Sequence, residues 1–264
     1  MRCLSAIPLF TLSFLLVSVI PRSAEALDAV GWLERSQAAR FPTKNMQAQF
    51  TIEIVRADGG RLERKGLSVR ASREKKLADR LFVITEPLTI AGMALLSKDI
   101  LDGPADQWLY LPAYRRARRV AIHGAGDAFV GSDFYYADLA RVRIEAGDHS
   151  MKGEVSVAGR ACVKIETLNK DPLLPYARTV TVLDKENALP LRTEYYDGKG
   201  VLLKVGTIDS IELRDGHPTP VRIAMRNVVL GSSSRILLDE VQYDVDLDPE
   251  MFTVERLEDA GLRR

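Results

Sequence analysis

Apolar and polar residues alternate along most of the chain after residue 45. In the run MQAQFTIEIV, the apolar residues Phe50, Ile52 and Ile54 occupy every second position, which is the spacing of one face of a β-strand. An Asp-Gly-Gly turn at 58–60 then returns the chain through RLERKGLSVRAS. The two runs and their turn predict a β-hairpin.

The same alternation predicts further strands as far as residue 247. It recurs in ADRLFVITEP, ARTVTVLDK, LPLRTEYYD, VLLKVGTIDSIEL, TPVRIAMRNVVL and SRILLDEVQYDVDL. Asp-Gly and similar turn residues separate several of these runs. Together they predict a long antiparallel meander with one apolar face and one face rich in charged residues and threonine.

One stretch, DQWLYLPAYRRARRVAI, departs from this alternation. As a strand it would place Trp108 and Tyr110 on one face, and Leu109 and Leu111 on the other. A strand that is apolar on both faces needs cover on both sides of its sheet. We therefore expect both faces of the sheet to be buried here.

A single helix is predicted ahead of the strands, in LDAVGWLERSQAARF. Asp28 is a candidate N-cap, because a carboxylate can accept a hydrogen bond from the first free backbone N–H groups of a helix. Val30, Leu33 and Phe41 fall loosely on one stripe. Pro42 cannot continue the helix and should end it.

The start of the chain has the pattern of an export signal. Arg2 precedes an apolar run from Leu4 to Ile20, and the triplet Ala24-Glu25-Ala26 follows. This pattern is typical of a secretory signal peptide, predicted to span residues 1–26 and to be cleaved after Ala26. The remaining residues, 27–264, are expected to form a single domain, because no linker-like tract divides them.

Charge and cysteine content exclude several classes of protein. Removal of residues 1–26 takes away two arginines and one glutamate, which leaves equal numbers of basic and acidic residues. A balanced chain of this kind gives no reason to expect a nucleic-acid partner. Cys162 is then the one remaining cysteine, so no disulfide is expected within the mature chain. Its alternating surroundings, RACVKIETL, favour a small core residue over a reactive thiol.

No sequence pattern predicts a metal ion or a cofactor. The three histidines, His123, His149 and His217, lack the spacing of a metal site, and one cysteine cannot complete a zinc set. The chain has no P-loop motif, and the Gly-Ala-Gly at 124–126 lies between predicted strands and does not open a helix. We therefore expect no metal, no cofactor and no enzymatic activity.

The stretch FVGSDFYYADL raises the question of a catalytic serine. Ser132 lacks the second glycine of the G-x-S-x-G elbow. The interpretation preferred here is structural: Gly131 ends a strand, and Ser132 or Asp133 caps a short helix, FYYADLARV, whose aromatic residues pack on the sheet. A serine hydrolase that uses Ser132 with His123 or His149 remains a remote alternative.

The densest charge cluster is YRRARR. It comprises Arg115, Arg116, Arg118 and Arg119. The cluster is either a solvated hairpin end or a contact for an anionic group, such as a lipid headgroup, an acidic partner, or the carboxylates of Asp133 and Asp138. The neighbouring aromatic residues suit a headgroup contact, because guanidinium tolerates apolar surroundings better than ammonium does.

Several motifs taken together resemble a known family. The succession EPLTIAGMALL, DQWLYLPAYRRARRV and DAFVGSDFYYADL, followed by LPLRTEYYDGKGVLLK and FTVERLE, is similar to the outer-membrane lipoprotein-sorting proteins, the LolA-like group. The resemblance runs from about residue 45 to residue 257. It implies an unclosed, strongly curved antiparallel β-barrel with helices covering its concave face.

The same resemblance implies a function. Proteins of this group are periplasmic carriers that hold the acyl chains of lipoproteins or lipids in an apolar cavity and transfer them toward the outer membrane. We therefore expect a monomeric periplasmic carrier with lipid or acylated lipoprotein as cargo. An inner-membrane transporter, such as a lipid exporter of the RND type, is an expected partner. An alternative is an envelope sensor or adaptor that uses the same fold to bind a protein.

Large apolar residues within these motifs are the candidates for the lipid cavity, although strand register decides which of them point inward. They are Met93, Leu95, Trp108, Tyr110, Phe129 and Phe134. The four arginines of YRRARR are the candidates for a partner or headgroup contact. Gly131, Ser132, Asp133 and Asp138 are assigned to the structural joint.

Overall fold

The computed structural model describes most of the chain that follows the predicted signal peptide. The described residues are 27–40, 42, 44–74, 77–172 and 174–259, without the side chains of Ile122 and His123. The predicted signal peptide, residues 1–26, lies outside them, as does Phe41. Among the described residues, neither α-helix combines the length and the apolar character that crossing a bilayer requires.

One antiparallel sheet of thirteen strands contains nearly all of the regular structure. The strands are β1 (Met46–Val55), β2 (Arg61–Ser72), β3 (Ala78–Glu86), β4 (Ala94–Ile100), β5 (Gly103–Leu111), β6 (Arg116–Arg119), β7 (Gly147–Val157), β8 (Arg160–Asn169), β9 (Arg178–Asp184), β10 (Pro190–Tyr196), β11 (Leu202–Arg214), β12 (His217–Asn227) and β13 (Ser232–Tyr243). Their order across the sheet is β6-β5-β4-β3-β2-β1-β13-β12-β11-β10-β9-β8-β7. Strands β1–β6 form one meander and strands β7–β13 form a second. The pairing of β1 with β13 joins the two meanders into one sheet, and all other neighbouring strands are consecutive in the chain.

The prediction of a mainly β fold on an unclosed antiparallel sheet is confirmed. The two edge strands, β6 and β7, do not pair, so the strongly curved barrel of the prediction is corrected to one open sheet. The described residues contain two α-helices, α1 (Ala29–Arg40) and α2 (Val254–Glu258). Most of the cover on one face comes instead from a run of short 3₁₀ turns between β6 and β7, residues 120–146, which we call the covering segment.

The first hairpin forms as its sequence predicts. Phe50, Ile52 and Ile54 are all buried on one face of β1. In the turn, the carboxylate of Asp58 accepts a hydrogen bond from the backbone N–H of Gly60 at 2.8 Å. Gly59 has a φ of 85°, a conformation that glycine adopts without steric cost.

Both faces of β5 are covered, as the sequence predicts. Tyr110 belongs to a cluster on one face that includes Phe252 and Leu257, from the C-terminal segment. Leu109 packs on the other face against a cluster that includes Phe129 of the covering segment. The sheet is therefore buried on two sides at this end because two different parts of the chain return to it.

Helix α1 begins as predicted but buries a stripe that only partly matches the predicted one. The carboxylate of Asp28 accepts a hydrogen bond from the N–H of Gly31 at 2.8 Å, which confirms the N-cap. The buried positions are Ala29, Trp32 and Ser36, whereas Val30 is 40% exposed. The predicted stripe is therefore correct at Leu33, which packs against the cluster that Trp32 forms with β8 and β9, and wrong at Val30.

Cys162 is a core residue, as the sequence predicts. It is completely buried and packs with Val182 and Leu191. Burial raises the pKa of its thiol, which keeps it in the unreactive protonated form.

A glycine in β2 provides a test of this packing. A Cβ at Gly66 would overlap the carbonyl oxygen of Val83 and the ring of Phe50. We expect Gly66→Ala to lower the free energy of unfolding by about 1–3 kcal/mol, the usual cost of overpacking. Gly206→Ala is the matched control, because a Cβ there would lie 3.5 Å from Tyr195, an ordinary contact. Urea denaturation of both variants measures the difference, and equal stabilities would contradict this packing.

Candidate functional site

A cavity of about 700 Å³ lies on the face of the sheet that carries α1 and the covering segment. Its walls come from α1, from the covering segment, from β5 near one edge of the sheet and from β7–β10 near the other. The volume is within the range of roughly 300–1,000 Å³ typical of small-molecule sites. This cavity is the candidate functional site.

Threonines form the sheet side of the cavity. Thr167, Thr179, Thr181 and Thr193 all line it. They occupy neighbouring strands, with Thr167 opposite Thr179 and Thr181 opposite Thr193 in the register. Each threonine presents a methyl group and a hydroxyl group, so this threonine wall can contact an apolar chain and a polar group alike.

The helix side of the cavity also presents both apolar and polar side chains. Leu33, Ser36, Gln37 and Arg40 of α1 line it. Burial lowers the pKa of the Arg40 guanidinium, and the nearby Tyr195 and Asp138 partly oppose that effect. The helix side of the cavity therefore combines apolar surface with a cation and two neutral hydrogen-bonding groups.

A buried polar network fastens the covering segment to the sheet. The carboxylate of Asp133 accepts hydrogen bonds from the hydroxyls of Ser232 and Ser234 on β13, the latter at 2.7 Å. The backbone N–H of Asp133 also donates to the Ser234 hydroxyl at 2.9 Å. A buried carboxylate is tolerated only when its oxygens are hydrogen-bonded, so these serines fix the segment in place.

Lys204 is the cation of this network. Its ammonium group is fully buried and donates to the backbone carbonyl of Asp133 at 2.6 Å. It also lies over the ring of Tyr135, where the aromatic face attracts positive charge. Burial lowers the pKa of Lys204 to about 8, although Asp138 and Asp133 act in the opposite direction.

Asp138 connects the network to the cavity. Its carboxylate accepts hydrogen bonds from the backbone N–H of Tyr135 at 2.7 Å and from the Tyr176 hydroxyl at 2.9 Å. It lies 3.9 Å from the ammonium nitrogen of Lys204. Burial raises the pKa of Asp138, while Lys204 and the two hydrogen bonds lower it. Asp138 and Tyr176 both line the cavity, so the network is part of its wall.

The predicted helix after Gly131 is replaced by a 3₁₀ turn. Gly131 has a φ of 78°, and the turn spans only Tyr136–Leu139. Asp138 caps it through the N–H of Tyr135. The predicted capping role of Asp133 is wrong, because its carboxylate accepts hydrogen bonds from Ser232 and Ser234 of β13.

Ser132 has a local structural role. Its hydroxyl donates to the carbonyl of Phe129 at 2.7 Å and accepts from the N–H of Phe134 at 3.2 Å. The two ring nitrogens of His149 lie 2.9 Å from the Thr167 hydroxyl and 2.7 Å from the Ile144 carbonyl oxygen. The side chain of His123 lies outside the described residues. The geometry of Ser132 is therefore that of a turn residue.

The six predicted lipid contacts lie in the packed parts of the molecule. Leu95 and Phe129 belong to the cluster beneath the covering segment, and Met93 packs against it. Tyr110 and Trp108 belong to the cluster on the opposite face, and Phe134 is also buried. None of the six is among the residues that line the cavity.

The predicted arginine cluster divides into two parts. Arg115 and Arg116 are exposed at the β5–β6 turn, and Arg118 lies over the ring of Tyr114. Arg119 lines the cavity and forms an ion pair with Asp106. None of the ion pairs described joins this cluster to Asp133 or Asp138. The cation beside these two residues is Lys204.

Several site residues lacked a sequence signal. The threonine wall could have been suspected from the RTVTVLD run, since alternating threonines mark one face of a strand. Lys204 and Tyr176 could not have been suspected from the sequence. Lys204 lies on β11 and Tyr176 lies in the β8–β9 connection, and only the fold brings these two segments to Asp138. Among the described residues, no group of His, Cys, Asp and Glu side chains is placed to hold a metal ion.

Comparisons with known proteins assign the fold. Residues 76–259 match the model of a family described as an uncharacterized protein. A structure described as an outer membrane lipoprotein-sorting protein domain from Vibrio parahaemolyticus is similar, with a TM-score of 0.83 and 24% identity, over 88% of this chain and 98% of that chain. A search of curated proteins found no match.

Two further structures share the architecture. A DUF1329 family protein from Desulfovibrio piger has a TM-score of 0.81 and 26% identity, over 88% of this chain and 100% of that chain. A LolA superfamily protein from Nitrosomonas europaea has a TM-score of 0.70 and 21% identity, over 86% of this chain and 98% of that chain. The predicted LolA-like fold is therefore confirmed.

The buried lysine predicts a pH dependence of stability. Lysine in an unfolded chain titrates at about 10.4, whereas the pKa of Lys204 is lowered to about 8. Between these values the folded protein binds fewer protons than the unfolded chain, so the contribution of Lys204 to stability increases as the pH rises. We expect the free energy of unfolding of the wild type, relative to Lys204→Met, to increase by on the order of 1–2 kcal/mol between pH 7 and 9.5.

Urea denaturation of both proteins across this pH range measures the change. Lys199→Met is the matched control, because it removes a lysine that is exposed in a neighbouring turn and leaves the buried Lys204 in place. A difference for Lys204→Met that stays constant from pH 7 to 9.5 would contradict the buried, charged state of this lysine.

Proposed function

This chain belongs to the uncharacterized-protein family whose model matches residues 76–259, and we propose that it is a periplasmic carrier for acyl chains of lipoproteins or lipids. The observation that carries the proposal is the cavity of about 700 Å³ between α1, the covering segment and the sheet. The LolA-like fold agrees with it, because one structural relative is described as a lipoprotein-sorting protein domain. We further propose that the predicted signal peptide exports the chain, and that it acts as a monomer.

The composition of the cavity favours an amphiphilic cargo. Leu33, Ile100, Val120 and Leu174 supply apolar surface, and each CH₂ group of a bound chain that leaves water contributes about 0.8 kcal/mol. A polar group of the cargo must keep hydrogen bonds when it is buried. The threonine wall offers such bonds, so a molecule with both an acyl chain and a polar part suits the cavity better than a pure hydrocarbon.

Loading and release need a change at the wall of the cavity. Apolar burial holds a chain firmly but has no switch of its own, so release requires a second state of the protein or a partner that favours one. We propose that the cargo moves toward the outer membrane after delivery by an inner-membrane transporter of the RND type. Such a carrier performs no turnover chemistry and needs no cofactor.

The six apolar residues of the motifs take a supporting part in this proposal. Met93 and Leu95 lie in the cluster beneath the covering segment, and Phe129 is the part of that segment that packs into the same cluster. They would meet an acyl chain only if the covering segment moved away from the sheet. Their contribution to cargo binding therefore stays a prediction. With the covering segment in place, the proposed contacts of the cargo are the threonine wall and α1.

A cavity-filling substitution tests the proposal. Thr181 lines the cavity, and an indole at this position would occupy part of the space for an acyl chain. We expect Thr181→Trp to retain at least five-fold less lipid than the wild type when both are purified from their own envelope and extracted with organic solvent. Mass spectrometry of the extract measures lipid per protein and identifies the cargo.

Thr51→Trp is the matched control, because Thr51 lies on β1 outside the cavity lining. It should retain as much lipid as the wild type. Thermal denaturation establishes that both variants are folded. An empty wild-type extract, together with failure of the delipidated protein to take up labelled lipid or acylated peptide, would refute the carrier function. Equal lipid in the two tryptophan variants would refute this cavity as the site.

A further inference from the structure

Five hairpin turns lie at the same end of the sheet. The antiparallel pairing places the β1–β2, β3–β4, β5–β6, β10–β11 and β12–β13 turns together at one end of the strands. Their residues are 56–60, 87–93, 112–115, 197–201 and 228–231. We call this line of turns the hairpin rim. It crosses most of the width of the sheet.

Large apolar side chains are exposed along the hairpin rim. Leu88 is 90% exposed, Tyr114 66%, Leu230 63%, Val229 61% and Val201 48%. Turn tips in a protein that functions in water normally carry polar residues and glycine, because exposed apolar surface is unfavourable. Three turns at the opposite end follow that rule, with Ala-Gly at 158–159, Lys-Glu-Asn at 185–187 and Asp-Gly at 215–216, whereas the β4–β5 turn there carries Leu101, which is 42% exposed.

Basic residues accompany the apolar tips. The exposed cations of the rim and of the strand positions next to it are Arg56, Arg61, Arg115, Arg116, Lys199 and Arg226. Two of the acids at this end are engaged within their own turns, where Asp58 and Asp197 accept backbone N–H groups. Glu63 and Glu86 lie near Lys65, whose nitrogen is 3.7 and 3.1 Å from their carboxylates. All four carboxylates remain charged, but the six exposed cations and Lys65 outnumber them by three, so the net charge of the rim is positive.

We propose that the hairpin rim is a docking surface for an anionic lipid bilayer. Leu88, Tyr114, Val229 and Leu230 would enter the headgroup region, and the basic residues beside them would lie at the level of the lipid phosphates. The apolar side chains stand on separate turn tips in a row and do not line a groove. A row of tips is suited to a planar surface, whereas an amphipathic helix docks in an apolar groove and an extended peptide pairs with an exposed strand edge.

The occupant is identified by charge and shape together. Apolar tips without cations would bind neutral and anionic membranes alike, and cations without apolar tips would bind any anionic polymer. The combination requires a surface that is negatively charged and has an apolar interior, which describes a bilayer that contains phosphatidylglycerol or a similar lipid. This inference does not depend on what the cavity holds, because the rim lies outside the cavity lining.

Vesicle flotation tests the proposal with the mature chain. The probes are vesicles of phosphatidylethanolamine and phosphatidylglycerol in a 3:1 ratio, and vesicles of phosphatidylcholine alone, with no other protein present. We expect the wild type to bind the anionic vesicles and to bind phosphatidylcholine at least ten-fold less. The double variant Val229→Ser with Leu230→Ser should bind the anionic vesicles at least ten-fold less than the wild type.

Leu213→Ser is the matched control, because Leu213 is 72% exposed but lies at the opposite end of β11. It should bind the anionic vesicles as the wild type does. The charge reversal Arg115→Glu with Arg116→Glu should weaken binding at least five-fold and reduce its dependence on salt. Circular dichroism and thermal denaturation show whether each variant is folded.

The outcomes separate this inference from the carrier function. A wild type that binds no vesicles overturns the inference, even if the rim binds a membrane protein instead. Equal losses in the rim variant and in Leu213→Ser overturn it as well. Lipid extracted from the rim variant reports the carrier function independently: normal cargo with lost vesicle binding supports the docking surface, and an empty cavity with rim-dependent vesicle binding refutes only the carrier function.

Discussion

The burial of the Lys204 ammonium group and the Asp133 carboxylate is the constraint on which the site depends. Both groups would be costly in the interior without partners, and each finds them only when residues 132–138 lie against β11 and β13. That position places Phe129 on the apolar side chains of β1, β3 and β4. The buried charges therefore determine where the covering segment sits, and with it one wall of the cavity.

The cavity exists because this face of the sheet is covered unevenly. The covering segment seals the apolar cluster around Phe50, and α1 seals the cluster around Val163. Between these two contacts the sheet presents threonines, whose small and partly polar side chains neither fill the space nor draw another element onto it. Hydrophobic packing thus closes the two sides, and the threonine wall leaves the space between them for a ligand.

The sequence predicts some strands of this sheet clearly and others not at all, and the difference follows from how each strand is buried. Strand β1 and the strands after β8 alternate clearly because one of their faces is buried and the other is not. Strand β7 has the sequence GDHSMKGEVSV with mostly exposed residues, so it has no apolar alternation to recognise. The short helix after Gly131 was wrongly expected because Ser132 and Asp133 have the chemistry of helix caps. Their partners prove to be a neighbouring carbonyl and the serines of a distant strand.

By itself, the sequence determined the class of fold, the first hairpin, the N-cap at Asp28, the two-sided burial of β5 and the core position of Cys162. These properties depend on residues close together in the chain, where the side-chain period and the turn chemistry act directly. Only the tertiary structure decided that the large apolar residues fill packed clusters, that threonines line the cavity, and that Lys204 lies beside Asp133 and Asp138. Those contacts join segments tens of residues apart, and strand register and the cost of burying charge select them.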